Sequence, residues 1–103
     1  MNQLNSVIFE GAVHTGINED GLFTVVNTVF EKVGDDEAVR KVFVECLVVG
    51  RFKELYSDKL KEGRNVRIVG KLKEIEGNVG LFVEHIELKP EVIKKGKYTF
   101  TKE

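Results

Sequence analysis

The sequence predicts an all-β domain, a five-stranded barrel with one α-helix between the third and fourth strands. Three observations carry that prediction. Five runs alternate apolar and polar residues with the two-residue period of strands; one segment alone, Phe52 to Leu60, spaces its apolar residues by three and four; and glycines or charged clusters separate the runs. With 103 residues, 42% of them hydrophobic, the chain supports a single modest core.

The elements follow in order. SVIFEGAV, from Ser6 to Val13, is β-branched and aromatic, and its internal glycine predicts a bulge or bend. HTGINEDG, from His14 to Gly21, has the composition of a loop. LFTVVNTVF, from Leu22 to Phe30, alternates as a half-buried strand does. EKVGDDEAVRK, from Glu31 to Lys41, is charged and reads as a mobile connection, and a third strand runs from Val42 to Val49. Phe52, Leu55, Tyr56 and Leu60 then mark the helix, with Gly63 as its C-cap. NVRIVGKLKEI, from Asn65 to Ile75, sets Val66, Ile68 and Leu72 against Arg67, Val69, Lys71 and Lys73. The turn EGNVG supplies glycines for a hairpin, and LFVEHIEL, from Leu81 to Leu88, completes the barrel.

Five twisted strands with a helix at one end is the plan of the OB fold, a partly open Greek-key barrel. Residues 1–90 make that domain. Residues 91–103 form a basic and aromatic tail or one more edge strand, because Lys94, Lys95 and Lys97 interleave with Tyr98 and Phe100.

Composition excludes several functions. The single cysteine, Cys46, has no disulfide or CxxC partner and falls on the predicted core side, so it reads as a small hydrophobe. His14 and His85 have no ligand-spaced companions, and Ser6 and Ser57 no nucleophile context, so neither a metal, a cofactor nor an enzymatic reaction is expected. No apolar run spans a bilayer and the start lacks a signal-peptide pattern, which makes a cytoplasmic protein the default. The formal charge of −1 provides no global attraction to phosphate, so any such attraction must come from local clusters among 16 Lys and Arg.

The third strand is apolar on both faces. Strand parity leaves Val42, Val44, Cys46 and Val48 for the core, and puts Lys41, Phe43, Glu45, Leu47, Val49 and Arg51 together on the outside. On the fourth strand the outer set is Arg67, Val69, Lys71 and Lys73. Such a surface is apolar at its centre and basic at its edges.

NSVIFEGAV and FVECLVVGRFKELYSDKLKEGRNVRIVGKL together resemble bacterial single-stranded DNA-binding proteins. The shared pattern is an Asn-x-Val-Ile strand reaching a glycine, an aromatic-led strand ending hydrophobic-Gly-basic, an amphipathic helix, Lys-Glu-Gly, and a strand ending Gly-x-Leu. The resemblance covers most of residues 5 to 88. It implies base stacking on Phe43 and Phe30, and phosphate contacts at Arg51 and Lys73; parity adds Lys41, Lys71 and Arg67. It also implies single-stranded DNA as partner, with RNA as the alternative because stacking does not distinguish the sugars, and a homo-oligomer, tetramer or dimer.

Departures from the pattern are the absence of Trp, the acidic Glu45 on the binding face, a short hairpin after Lys73, and the ending YTFTKE in place of an acidic tail that recruits repair partners. They motivate a second reading from a different class, an OB-fold interaction or oligomerisation module in which Phe43, Leu47 and Val49 meet protein instead of bases.

Overall fold

The computed structural model describes residues 3–95 and 98–102, with side chains described from 3 to 90. Five strands close a barrel: β1 (Val7–Thr15), β2 (Leu22–Val33), β3 (Asp36–Leu47), β4 (Asn65–Ile75) and β5 (Asn78–Leu88), ordered β1-β2-β3-β5-β4. Strand β1 pairs with both β2 and β4, and a parallel contact of Cys46 with Leu81 and Leu47 with Phe82 joins β3 to β5. With α1 (Arg51–Tyr56) between β3 and β4, this is the OB fold the sequence predicts. Two further strands, β6 (Glu91–Lys95) and β7 (Tyr98–Lys102), pair with each other in a separate sheet. The lysines and aromatics noted in that segment lie outside the residues whose side chains are described.

The core is what alternation and closure together bury: Val13, Phe23, Val25, Cys46, Val48, Leu60, Val66, Ile68, Leu81, Val83 and Ile86. Asn5 ties the segment before β1 to β4, its side chain accepting from the Leu72 amide and donating to the Leu72 carbonyl. Gly11 is not the bulge its position in the strand suggested. A Cβ there would lie 2.2 Å from the Val26 carbonyl oxygen, so the glycine lets two strands cross closely. The irregularity falls instead between Val13 and Thr15, making His14 an extra residue of the strand, not a loop residue.

Residues 31–41 are not a connection. They extend β2 and β3 into a continuous ladder from Leu22↔Leu47 out to Val33↔Asp36, closed by a two-residue turn in which Gly34 takes φ 63°, the conformation glycine adopts without penalty. Beyond the barrel rim this ladder is an arm. Val42, expected in the core, is therefore 48% exposed, and Val44 is half-buried.

The helix is shorter than the spacing implied. It ends at Tyr56, buries no residue, and leaves Phe52 and Leu55 exposed. Leu60 is buried from the turn that follows, where its amide still bonds to the Tyr56 carbonyl, so an i, i+4 spacing is kept without a continuous helix. Gly63 has φ 90° but serves β1, donating to the Val13 carbonyl. Leu72, expected inside, is half-exposed near the end of the β4–β5 hairpin, whose Glu76–Gly77 turn has positive φ at both residues, as a tight hairpin requires.

Candidate nucleic-acid interface

Residues opposite each other across an antiparallel ladder share a face. On the outer face of β2 and β3 the pairs are Leu22↔Leu47, Thr24↔Glu45, Val26↔Phe43, Thr28↔Lys41 and Phe30↔Val39. Phe43, Lys41 and Phe30 thus lie along one surface, with Phe30 on the arm about 13 Å from Phe43 along the ladder. Phe30 is 78% exposed and Phe43 53%. A half-exposed Phe that packs no core presents a ring face to whatever binds.

The parallel contact between β3 and β5 carries that surface onward. Leu47 sits beside Phe82, and Phe82 sits opposite Lys71 on β4. Lys73 reaches diagonally over the Phe82 ring, its Nζ 4.8 Å from the centroid. An exposed cation over an aromatic face is worth about 0.5–1 kcal/mol. The outcome is a band across the outside of the barrel: Phe30, Lys41, Phe43 and Glu45, then Leu47, Phe82, Lys73 and Lys71. Phe82 was not among the residues singled out from sequence, although its place between core Leu81 and Val83 put it on the outside.

His14 is the other residue that sequence reasoning passed over. Its ring meets Phe43 edge to face, with centroids 4.9 Å apart and planes at 71°. Such pairs contribute about 0.5–1.5 kcal/mol and fix ring orientation. The bulge that turns His14 toward Phe43 leaves no trace in the alternation of apolar residues.

The predicted cations are not equivalent. Lys41 and Arg51 are exposed and make no ion pair with a described residue, and Arg51 stands apart from the band, opening α1 after Gly50. Lys71 has Glu84 at 3.7 Å, a loose exposed pair. Arg67 is held on both sides, 2.9 Å from Glu10 and 3.6 Å from Glu87. Glu10 also accepts from the Lys89 ammonium. The hydrogen bonds from Lys89 and Arg67 hold the Glu10 carboxyl below its ordinary pKa, and Glu10 in turn raises that of Arg67. Glu45 is exposed on the same face as Phe43 and places a negative charge within the band.

Burial pushes the Cys46 thiol up to about 12, with the neighbouring Glu45 charge adding to the shift, so no thiolate forms near neutral pH. Among the described residues no group of three or more His, Cys, Asp or Glu is arranged to hold a metal ion, and no helix is long and apolar enough to cross a membrane.

Compared by sequence, the chain matches no protein-family profile and no curated protein. Compared by structure, it is similar to the Plasmodium falciparum SSB solved in complex with ssDNA, at 15% identity and a TM-score of 0.60, over 82% of this chain and 90% of that one. It is similar also to the small single-stranded DNA-binding protein of Streptomyces coelicolor, at 18% identity and a TM-score of 0.61, over 85% of this chain and 94% of that one. The fold is shared.

Proposed function

We propose that the chain binds single-stranded DNA without reading its sequence, as a non-catalytic protein that covers strands transiently exposed in replication, recombination or repair. The observation that carries this reading is the outer band in which Phe43 and Phe30 offer exposed rings, Phe82 lies half-buried beneath Lys73, and Lys41 and Lys71 flank them. Exposed bases stack on such rings at about 1–3 kcal/mol each, whatever their identity, and ammonium groups follow the phosphates. Two proteins of the same fold, one solved in complex with ssDNA and the other a small single-stranded DNA-binding protein, add support.

The roles differ by residue. Phe43 is the central platform and Phe30 an outlying one. Lys73, steadied over Phe82, and Lys41 take phosphates; Lys71 contributes once drawn from Glu84, and Arg51 extends the path past β3. Arg67 contributes least, because two carboxylates already hold it. Ile8, Val29 and Val42, exposed outside the band, support a homo-oligomer, dimer or tetramer, as the working form. Light scattering gives its mass, and a monomer at every concentration rejects that part.

The chain has no Trp, so the test is anisotropy of labelled oligo-dT in a salt series. Three or four phosphate contacts at about 0.7 each predict a log–log salt slope of roughly −2 to −3. Absence of binding at low salt overturns the proposal. Competition with a matched RNA oligomer decides between the sugars. Phe43→Ala separates the two classes of function: loss of oligo-dT affinity at unchanged oligomer mass supports the DNA reading, and a changed mass at unchanged affinity supports the interaction module.

A further inference from the structure

We infer that His14 belongs to the single-strand binding face, where it sets the orientation of Phe43 and, when protonated, adds a phosphate contact, so that binding tightens as pH falls from 8 to 6. The inference rests on the single-strand reading above and deepens it. Two observations carry it. The register shift between Val13 and Thr15 inserts His14 as an extra residue and leaves it exposed. Its ring then closes one side of Phe43 at 4.9 Å, edge to face.

A phenylalanine on an open strand surface turns freely, and a base gains most from one that is already oriented. With His14 against one side of the ring, the platform keeps a single open approach. A strand stacked there brings its backbone past the imidazole. Imidazoles change charge between pH 5 and 8, and an imidazolium donates charge-assisted hydrogen bonds to phosphate oxygens.

The charged groups on the elements around His14 are Lys41 and Glu45, flanking Phe43 on β3; Glu62 and Arg64, on either side of the Gly63 turn that bonds to Val13; and Glu19 and Asp20, in the loop beyond β1. The β2 residues beneath, Thr24 and Val26, carry no charge. The variants below, not the pH response alone, assign the effect to His14. The second histidine, His85, stands opposite Val69 on the β4–β5 ladder and is the natural control.

The experiment is oligo-dT anisotropy with the full chain at pH 8, 7 and 6, each over a salt series, since thymine does not titrate in this range. For the wild type we expect affinity to rise about fivefold between pH 8 and 6, and the salt slope to steepen by about 0.7, one further phosphate on a single strand. His14→Gln should abolish both changes. His14→Phe should also be flat with pH, and at pH 8 it should bind more tightly than His14→Ala, because it retains the ring contact that His14→Ala removes. His85→Gln should behave as wild type. Binding that is present but independent of pH overturns the role of His14 alone, as does a pH response that survives His14→Gln or disappears in His85→Gln. Absence of binding at every pH overturns the single-strand reading itself.

Discussion

Strands β2 and β3 form one uninterrupted ladder, yet its two ends occupy different surroundings. At the barrel end Phe23, Val25 and Cys46 are enclosed by β1, β4 and β5, and together with Val48 they are among the most deeply buried side chains described. At the other end Val29, Phe30, Val33, Val39 and Val42 remain exposed, although the same ladder continues through them. Cross-strand pairing makes a strand, but the neighbours that close over it make a core. A hairpin alone is marginal in water, so the arm depends on its covalent continuation from the barrel and on pairs such as Glu31 with Arg40, 2.6 Å apart. Apolar side chains left outside a core are the ones available to a partner.

The contrast is broken most directly by removing the same side chain from each end. Phe23→Ala should destabilise the protein by about 3–5 kcal/mol in denaturant unfolding, the cost of emptying a phenylalanine site in a packed core. Phe30→Ala should change stability by less than about 0.5 kcal/mol, as exposed substitutions do. Equal losses at the two positions would mean that the arm is packed against something in solution. Amide exchange along β2 sharpens the same point: protection should fall from Phe23 and Val25 toward Val33, because the outer pairs open without disturbing the core.

Next in size is the effect on binding. Phe43→Ala should weaken oligo-dT by about 1–3 kcal/mol, the worth of one stacked base, and should lower stability by no more than the about 0.5–1.5 kcal/mol of its ring contact with His14. Glu45→Lys is expected to act in the opposite direction. It replaces a repelling carboxylate beside Phe43 with a cation, so affinity should rise severalfold and the salt slope steepen by about 0.7. An unchanged slope in Glu45→Lys would place the nucleic acid away from this part of β3.

The barrel was legible in the sequence because β1, β2, β4 and β5 each place small or branched apolar residues inward at period two. The arm was not. Glu31, Lys32, Asp35, Asp36, Glu37, Arg40 and Lys41 look like a loop because a two-stranded arm in solvent has no face that must be apolar throughout. The helix was overextended because Leu60 keeps helical spacing through a turn. Of the candidate site, Phe43 and Lys41 could be grouped by parity, as could Lys71 and Lys73, whereas Phe30 came from the family resemblance and joins them only through the β2–β3 register. Joining the two groups required the β3–β5 contact, which brings Leu47 beside Phe82 across more than thirty residues of chain. His14 was out of reach for a different reason. A bulge of one residue shifts which side chains point outward, and nothing in the composition of HTGINEDG announces it.

The smallest expected effect concerns Glu10, on the side of the barrel where charges are paired instead of free. Lys89 and Arg67 hold its carboxyl below the ordinary value of 4.5. A lowered folded value means that the cluster contributes stability in full above about pH 4.5, and loses it as pH falls through the depressed folded value. Glu10→Gln should therefore be slightly less stable than wild type at pH 7, and the difference should shrink toward zero in acid. The effect is small because every partner is part-exposed and solvent screens the pairs. A difference that grew as pH fell would reverse the sign and remove the ion pairs as its cause. The same variant probes the arrangement of the binding face. Arg67 keeps Glu87 when Glu10 is neutralised, so oligo-dT affinity should not change; a clear gain would show that Arg67, once released, reaches the strand, and would extend the phosphate path across β4 toward β1.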